Sequence, residues 1–308
     1  MKRAGRLSGR GGVEAARRVL ASLVSCAALS GCRMSILDPK GPIGAQEKVI
    51  LLDSLAVMLV IVIPTLVACL GFAWWFRASN AKARFRPDFT YSGRVELIVW
   101  SIPILTITFL GGLIWIGSYQ LDPKHPIASH AAPIEVQVVS LDWKWLFIYP
   151  AQGIASVNQL VAPAGAPIHF SLTSASVLNA FFVPQLGSQI YVMNGMVTQL
   201  NLQADRPGVF FGESAHFSGD GFSDMNFQVR ALPAADFARW AQAAQSAGPM
   251  LDGLAYARLA RPSQKVAPFT YRMVQPGLFQ AIASQRIAPG PGPQVGRGGA
   301  AVSPRTEG

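Results

Sequence analysis

Sulfur is scarce in this chain and badly placed for metal chemistry. Its three cysteines are Cys26, Cys32 and Cys69, so none lies in the long C-terminal part of the 308 residues. Blue and dinuclear copper centres are both held by soft thiolate ligands, and a stretch without cysteine can build neither. His169, His216, Met193, Met196 and Met225 are what remains for a soft-metal cluster. A histidine on a strand and scattered methionines more often serve as core or surface side chains, and no residue is nominated here as a metal ligand or as a catalytic group. Glu96 is a second chemical candidate, because it stands at the lip of a long uncharged run, where ionisable groups are costly and often functional. The plainer reading is an interfacial carboxylate held by Arg94. Trp143 and Trp145 are a third feature, a close aromatic pair suited to packing or to electron transfer.

The elements that must carry these groups begin with a targeting segment. Lys2, Arg3, Arg6, Arg10, Arg17 and Arg18 precede an apolar run from Val19 to Ser30, which closes on Leu29-Ser30-Gly31-Cys32. That order reads as a signal peptide over residues 1–31 ending in a lipobox, with Cys32 acylated (palmitate among the expected groups) as the first mature residue. Removing residues 1–31 leaves 20 basic and 15 acidic residues, so the net charge falls from +10 to +5. The basic balance is therefore largely a targeting effect. Nucleic-acid binding is not expected.

Residues 54–76 are 23 positions without a charge, and a second uncharged run covers residues 97–121. At 1.5 Å per residue the first reaches roughly 35 Å as a helix, enough to cross a bilayer. Pro64 and Pro103 are tolerable inside helices that pack against neighbours in a membrane. The intervening loop carries Arg77, Lys82, Arg84, Arg86 and Arg94 against the single acid Asp88, which places it on the cytoplasmic side. The expected organisation is then a lipidated segment 32–48, a transmembrane hairpin 49–121 with helices at about 49–76 and 95–120, and a linker 122–132.

Beyond the linker, short runs of β-formers fall at 134–139, 145–149, 168–173, 181–183, 190–193, 197–202, 209–211 and 227–229. Many short strands punctuated by Gly and Pro predict an antiparallel Greek-key β-sandwich over 133–232. A helical C-terminal extension over 233–287, with helices at 234–247 and 251–259, and a disordered tail over 288–308 complete the reading. The fold class is membrane-anchored all-β.

Three stretches carry a family resemblance: Asp142-Trp143-Lys144-Trp145, Ser174-Ala175-Ser176-Val177-Leu178-Asn179, and Pro207-Gly208-Val209-Phe210-Phe211-Gly212-Glu213-Ser214 running on to Met225. Together they resemble subunit II of haem-copper respiratory oxidases. The two-helix anchor, the lipobox and the Trp143 region look most like the bo-type ubiquinol oxidase branch. The resemblance covers about residues 32–285 and implies a cupredoxin-like sandwich. In the cytochrome c oxidases of this family the sandwich holds a two-copper centre. Mapped residue by residue, the first histidine position falls on Asn179, the cysteine positions on Ser214 and Ser218, the second histidine position on Phe222, and the carbonyl-donating position on His216. Only Met225 keeps a ligand type, so these six are vestigial copper-ligand positions.

The resemblance implies subunit II of a proton-pumping ubiquinol oxidase with no cofactor of its own. Haems and copper would lie in subunit I, ubiquinol would be the substrate of the complex, and no docking of cytochrome c is expected. Implied partners are subunit I, further small membrane subunits and membrane lipids. The implied location is the bacterial inner membrane, as a multi-pass lipoprotein with its C-terminal domain on the periplasmic face. Glu96 then matches the position where subunit II lends a carboxylate to a proton channel in subunit I. Trp143 and Trp145 are expected to pack against subunit I, since an electron route without copper has no terminus. Two other readings stay open: a non-enzymatic cupredoxin-like membrane lipoprotein, and a cytochrome c oxidase subunit II whose copper site has degenerated.

Overall fold

In the computed structural model, which describes residues 35–84, 86–290 and 292, Pro42 opens a helix of 34 residues, α1 (Pro42–Trp75). A proline costs least in the first turn, where its missing N–H would have no helical partner. At 1.5 Å per residue α1 is roughly 50 Å long, well beyond the apolar thickness of a bilayer. Its start lies seven positions before the expected 49, and the excess has a physical cause. The first turns of α1 rest on the β domain: Gly44 N–H donates to Leu186 O at 3.1 Å, Lys40 N–H to Gln185 O at 2.7 Å, and Asp205 N–H to Lys40 O at 2.9 Å. The Ser188 hydroxyl donates to the Glu47 carboxylate. A Cβ at Gly41 would lie 2.1 Å from Gln203 O, so only glycine permits this approach.

The second helix, α2 (Gly93–Gln120), begins after an extended Ser92 and carries Pro103 inside it. The two helices meet where the Ile50 side chain lies 2.7 Å from the position a Cβ would take on Gly117. Elsewhere both present large apolar side chains outward along their length, including Leu70, Leu105 and Ile107. Residues 1–38 make a unit of their own, of which the short 3-10 turn Ser35–Leu37 is described. The expected signal peptide, Cys32 and nearly all of the tail lie outside the described residues.

Two sheets make the β domain. The first runs β12–β3–β2–β1–β5–β8 and the second β4–β10–β9–β6–β7. In chain order the strands are β1 (Ile134–Leu141), β2 (Lys144–Tyr149), β3 (Ile154–Val157), β4 (Gln159–Pro163), β5 (Pro167–Ser174), β6 (Asn179–Val183) and β7 (Gly187–Val192). They continue with β8 (Thr198–Gln203), β9 (Gly208–Ser214), β10 (Asn226–Leu232), β11 (Met250–Leu251), β12 (Phe269–Tyr271) and β13 (Met273–Val274). Most neighbours are antiparallel, but β1 pairs β5 and β10 pairs β4 in parallel. The anticipated β-sandwich is thus present, with β3 and β4 added. These two strands are rich in small and polar residues, which hid them from a search for β-branched and aromatic runs.

The inner faces interlock through aromatic rings. Phe181 stacks on Phe227 at 5.1 Å between centroids, and Trp145 meets Phe181 edge-on at 5.3 Å. Tyr149 ties the sheets together: its hydroxyl donates to Val161 O at 3.0 Å and accepts from Val161 N–H at 2.8 Å. Val161 lies on β4, the end strand of its sheet, whose outward backbone groups would otherwise be buried without partners.

The expected helical extension is present as α3 (Ala234–Ser246), α4 (Gly253–Leu259) and α5 (Leu278–Ala283); it also holds β11, β12 and β13, and β12 completes the first sheet by pairing with β3. The extension folds back because the sandwich offers it anchors. The Lys144 ammonium, buried at the start of β2, donates to Arg261 O at 2.8 Å, Ser263 Oγ at 2.7 Å and Asp142 O at 3.2 Å. Asn158, in a left-handed conformation between β3 and β4, donates to Val266 O at 2.8 Å and accepts from Trp145 N–H. Burial pushes the Lys144 ammonium down to about 8, an effect only partly offset by the Asp142 charge.

Two outcomes are expected. Tyr149→Phe strands a buried donor and acceptor on Val161 and lowers unfolding stability by about 1–3 kcal/mol, readable in a denaturant melt of the purified chain. Because the folded-state pKa of Lys144 lies below its unfolded value, the charged form opposes folding. Stability should therefore rise as pH increases from about 8 toward the ordinary lysine value, and Lys144→Met should flatten that rise in thermal melts.

Candidate functional site

The six positions onto which the family's copper ligands map by resemblance converge on one end of the sandwich, where the β5–β6 and β9–β10 connections meet. Asn179 opens β6 and Ser214 closes β9, and both are buried. Asn179 Nδ2 donates to Ser140 Oγ at 2.7 Å, and the Ser214 hydroxyl reaches Asn179 Oδ1 at 3.0 Å and His216 O at 3.2 Å. Ser214 N–H also donates to Met225 O at 3.1 Å. The Ser218 hydroxyl reaches Met225 Sδ at 3.8 Å. Phe222 lies in a short 3-10 turn and packs edge-on against Phe217 at 5.6 Å. The His216 ring turns toward Tyr191, with centroids 5.9 Å apart.

Chemically this donor set does not fit a copper centre. A bridging thiolate is replaced at both positions by a hydroxyl, a hard and neutral donor. The buried amide and hydroxyls meet one another's hydrogen-bonding needs, as buried polar groups must. His169 stands apart on β5, with Nδ1 2.9 Å from Asn201 Oδ1. Among the described residues no group of three or more His, Cys, Asp or Glu gathers at one point.

Trp143 forms one wall of the site. It sits in the two-residue turn between β1 and β2 with φ +65°, a conformation that bulky side chains rarely adopt. Its indole Nε1 donates to Ser218 O at 3.1 Å. The ring lies so close to Gly221 that a Cβ there would fall 2.3 Å from it. The β5–β6 connection is fastened in parallel: the Ser176 hydroxyl donates to Asp142 Oδ1, and Asn194 Nδ2 to Ser174 O at 2.9 Å.

The expectation that Trp143 and Trp145 pack against another subunit fails for Trp145, whose ring is enclosed within the chain. Trp145 is 0% exposed in the chain by itself and belongs to the aromatic core, while Trp143 is 8% exposed and covers its own loop. Sequence reasoning also missed Ser140, Ser176, Asp142 and Gly221 as members of the site. Asp142 and Ser176 fall within the stretches that carry the family resemblance and Gly221 within a short glycine-rich loop, whereas Ser140 left no local signal.

Glu96 lies far from this cluster along the chain. It is exposed in the first turn of α2, where its backbone N–H donates to Ser92 O at 3.0 Å. Cys69 is free and exposed on α1.

Residues 112–232 match the family described as cytochrome c oxidase subunit II, periplasmic domain, and residues 245–290 match the COX aromatic rich motif. The chain is 45% identical over 268 residues to the ubiquinol oxidase subunit 2 of Acetobacter aceti, covering 86% of this chain and 87% of that one. It is 44% identical over 264 residues to the cytochrome bo(3) ubiquinol oxidase subunit 2 of Pseudomonas aeruginosa, covering 86% and 80% respectively. Among solved structures, the periplasmic domain of subunit II of cytochrome oxidase from Bradyrhizobium japonicum aligns with a TM-score of 0.36 at 23% identity, over 39% of this chain and 96% of that domain.

If the loops keep the shape of a metal site, a quadruple variant carrying Asn179→His, Ser214→Cys, Ser218→Cys and Phe222→His, with Met225 retained, should take up copper and gain a thiolate-to-copper absorption band. The unaltered chain should show none under the same loading.

Proposed function

The chain belongs to the ubiquinol oxidase subunit 2 family, and from that premise we propose that it serves its complex without carrying any redox group. It is subunit II of a ubiquinol oxidase, anchored in the membrane by two apolar helices. In the proposed arrangement the haems and copper lie in subunit I, where ubiquinol is oxidised and dioxygen is reduced to water with proton pumping. This chain packs beside subunit I and further small membrane subunits. It sits in the bacterial inner membrane with residues 1–31 removed, Cys32 acylated and the β domain on the periplasmic face.

The observation that carries the non-catalytic reading is the state of the former ligand loops. Asn179, Ser214 and Ser140 close on one another through hydrogen bonds, and no thiol is available to bind or bridge a metal. Electrons from a water-soluble donor have no entry port here. A donor dissolved in the membrane reaches subunit I without crossing this domain.

Glu96 carries the second part of the proposal, as the carboxylate lent to the mouth of a proton channel in subunit I. Its support is its place in the opening turn of α2, next to the membrane boundary and exposed for a partner to meet. A carboxylate there exchanges protons with water and concentrates them at the entrance.

In the purified complex, quinol should drive oxygen consumption with haems co-purifying, and reduced cytochrome c should not; turnover with cytochrome c would overturn the non-catalytic reading. Glu96→Ala should leave haem content unchanged while slowing turnover and proton uptake several-fold. Equal rates in variant and wild type would remove Glu96 from the proton path.

A further inference from the structure

The loop between the two membrane helices and the end of α1 line an open cavity of about 690 Å³, bordered by Trp75, Phe76, Lys82, Arg84, Arg86 and Phe89. That volume falls within the range of small-molecule sites, about 300–1,000 Å³. We propose that this cavity binds the headgroup phosphate of an anionic phospholipid in the adjoining leaflet, with Lys82, Arg84 and Arg86 as the cationic contacts and the three aromatic rings as the apolar wall. The inference rests on the membrane topology proposed above and is independent of the oxidase role.

A basic loop by itself is explained by the rule that cytoplasmic loops are positive. That rule needs only the charges, however, and does not require them to share a walled cavity. The loop's cations also divide into two kinds. Arg77 is used within the chain: it donates to Trp74 O at 2.7 Å and to Ser79 Oγ at 3.1 Å, and stands 4.8 Å over the Trp74 ring. Among the described residues no salt bridge engages Lys82, Arg84 or Arg86. All three are exposed.

The C-terminal end of α1 borders the cavity, and its free carbonyls would repel an anion. They are covered. Arg77 caps Trp74 O, and Asn80 Nδ2 donates to Trp75 O at 2.6 Å. The negative end of the helix is therefore masked on the side where the phosphate would sit. Phe89 is 62% exposed and Phe76 57% exposed beside the cations, an amphipathic combination that matches a phosphate joined to acyl chains better than a free anion. Basic pockets at the cytoplasmic ends of membrane helices select anionic headgroups on these grounds.

The test uses the whole oxidase complex in nanodiscs of phosphatidylcholine doped with phosphatidylglycerol, with bound lipid counted by native mass spectrometry. Wild type should retain phosphatidylglycerol in excess of its bulk share. The triple variant K82Q/R84Q/R86Q should bind it about a hundredfold more weakly, at roughly fivefold per charge. Arg77 and Arg94 remain to hold the topology, and labelling of a loop cysteine from each side of the membrane reads that topology separately. Phe89→Ser should weaken retention with all charges intact, which a purely electrostatic surface would not do. Equal retention in wild type and triple variant would overturn the assignment, as would displacement of the lipid by inorganic phosphate. An unoccupied pocket in the wild-type complex would mean that another subunit covers it, and would overturn it equally.

Discussion

Asn179 donates to Ser140 and accepts from Ser214, and this short polar chain joins β6 to β1 and β9 in the interior. A buried amide without partners would cost about 1–3 kcal/mol, and here its partners are Ser140, Ser214 and the Val177 carbonyl. The same cluster fixes the rest of that end of the domain. Ser214 also holds the His216 carbonyl, Trp143 holds the Ser218 carbonyl, and Gly221 exists as glycine because the indole lies upon it. The end of the sandwich onto which the copper-ligand positions map is thus an ordinary, satisfied protein interior.

A second constraint joins this domain to the membrane. The first helix does not end at the bilayer surface and hang its domain from a flexible linker. Its opening turns are hydrogen-bonded to the backbone at residues 185–186 and, through Glu47, to Ser188 on β7. Gly41, Gly44 and Gly187 allow this contact, since a Cβ on any of them would meet backbone or the Ile43 side chain at 3.3 Å or less. The β domain is held at a defined attitude above the helices, as a subunit must be if one end of it is to meet a partner in register. At the far edge of the first sheet the extension closes the fold through Lys144, Asn158 and β12.

Much of this was legible in the chain itself. Two long uncharged runs, a basic loop and a series of short β-rich segments are patterns of composition and period, and they place the hairpin and the sandwich without reference to tertiary contacts. The missing thiols were legible in the same way, because a count of cysteines needs no geometry. The strands at 154–157 and 159–163 were not legible. Their small and polar residues have weak β preference alone and become strands only because β2 and β10 offer edges to pair with. Trp145 was misread for a related reason: an aromatic residue looks the same in sequence whether it fills a core or an interface, and only its contacts with Phe181 and Phe227 decide.

The sequence by itself determined which chemistry is closed to this protein, since ligand types are written residue by residue and no fold can turn Ser214 or Ser218 into a thiolate. It also determined that the chain crosses a membrane, because apolar length is a local property. Only the tertiary structure decided how Asn179, Ser214 and Ser218 are satisfied, which cations of the loop between the two helices are already engaged, and where the extension returns to the sheet. Those outcomes depend on pairs of residues distant along the chain, such as Asn179 with Ser140 and Lys144 with Ser263. Their approach is set by strand pairing and packing rather than by any local preference.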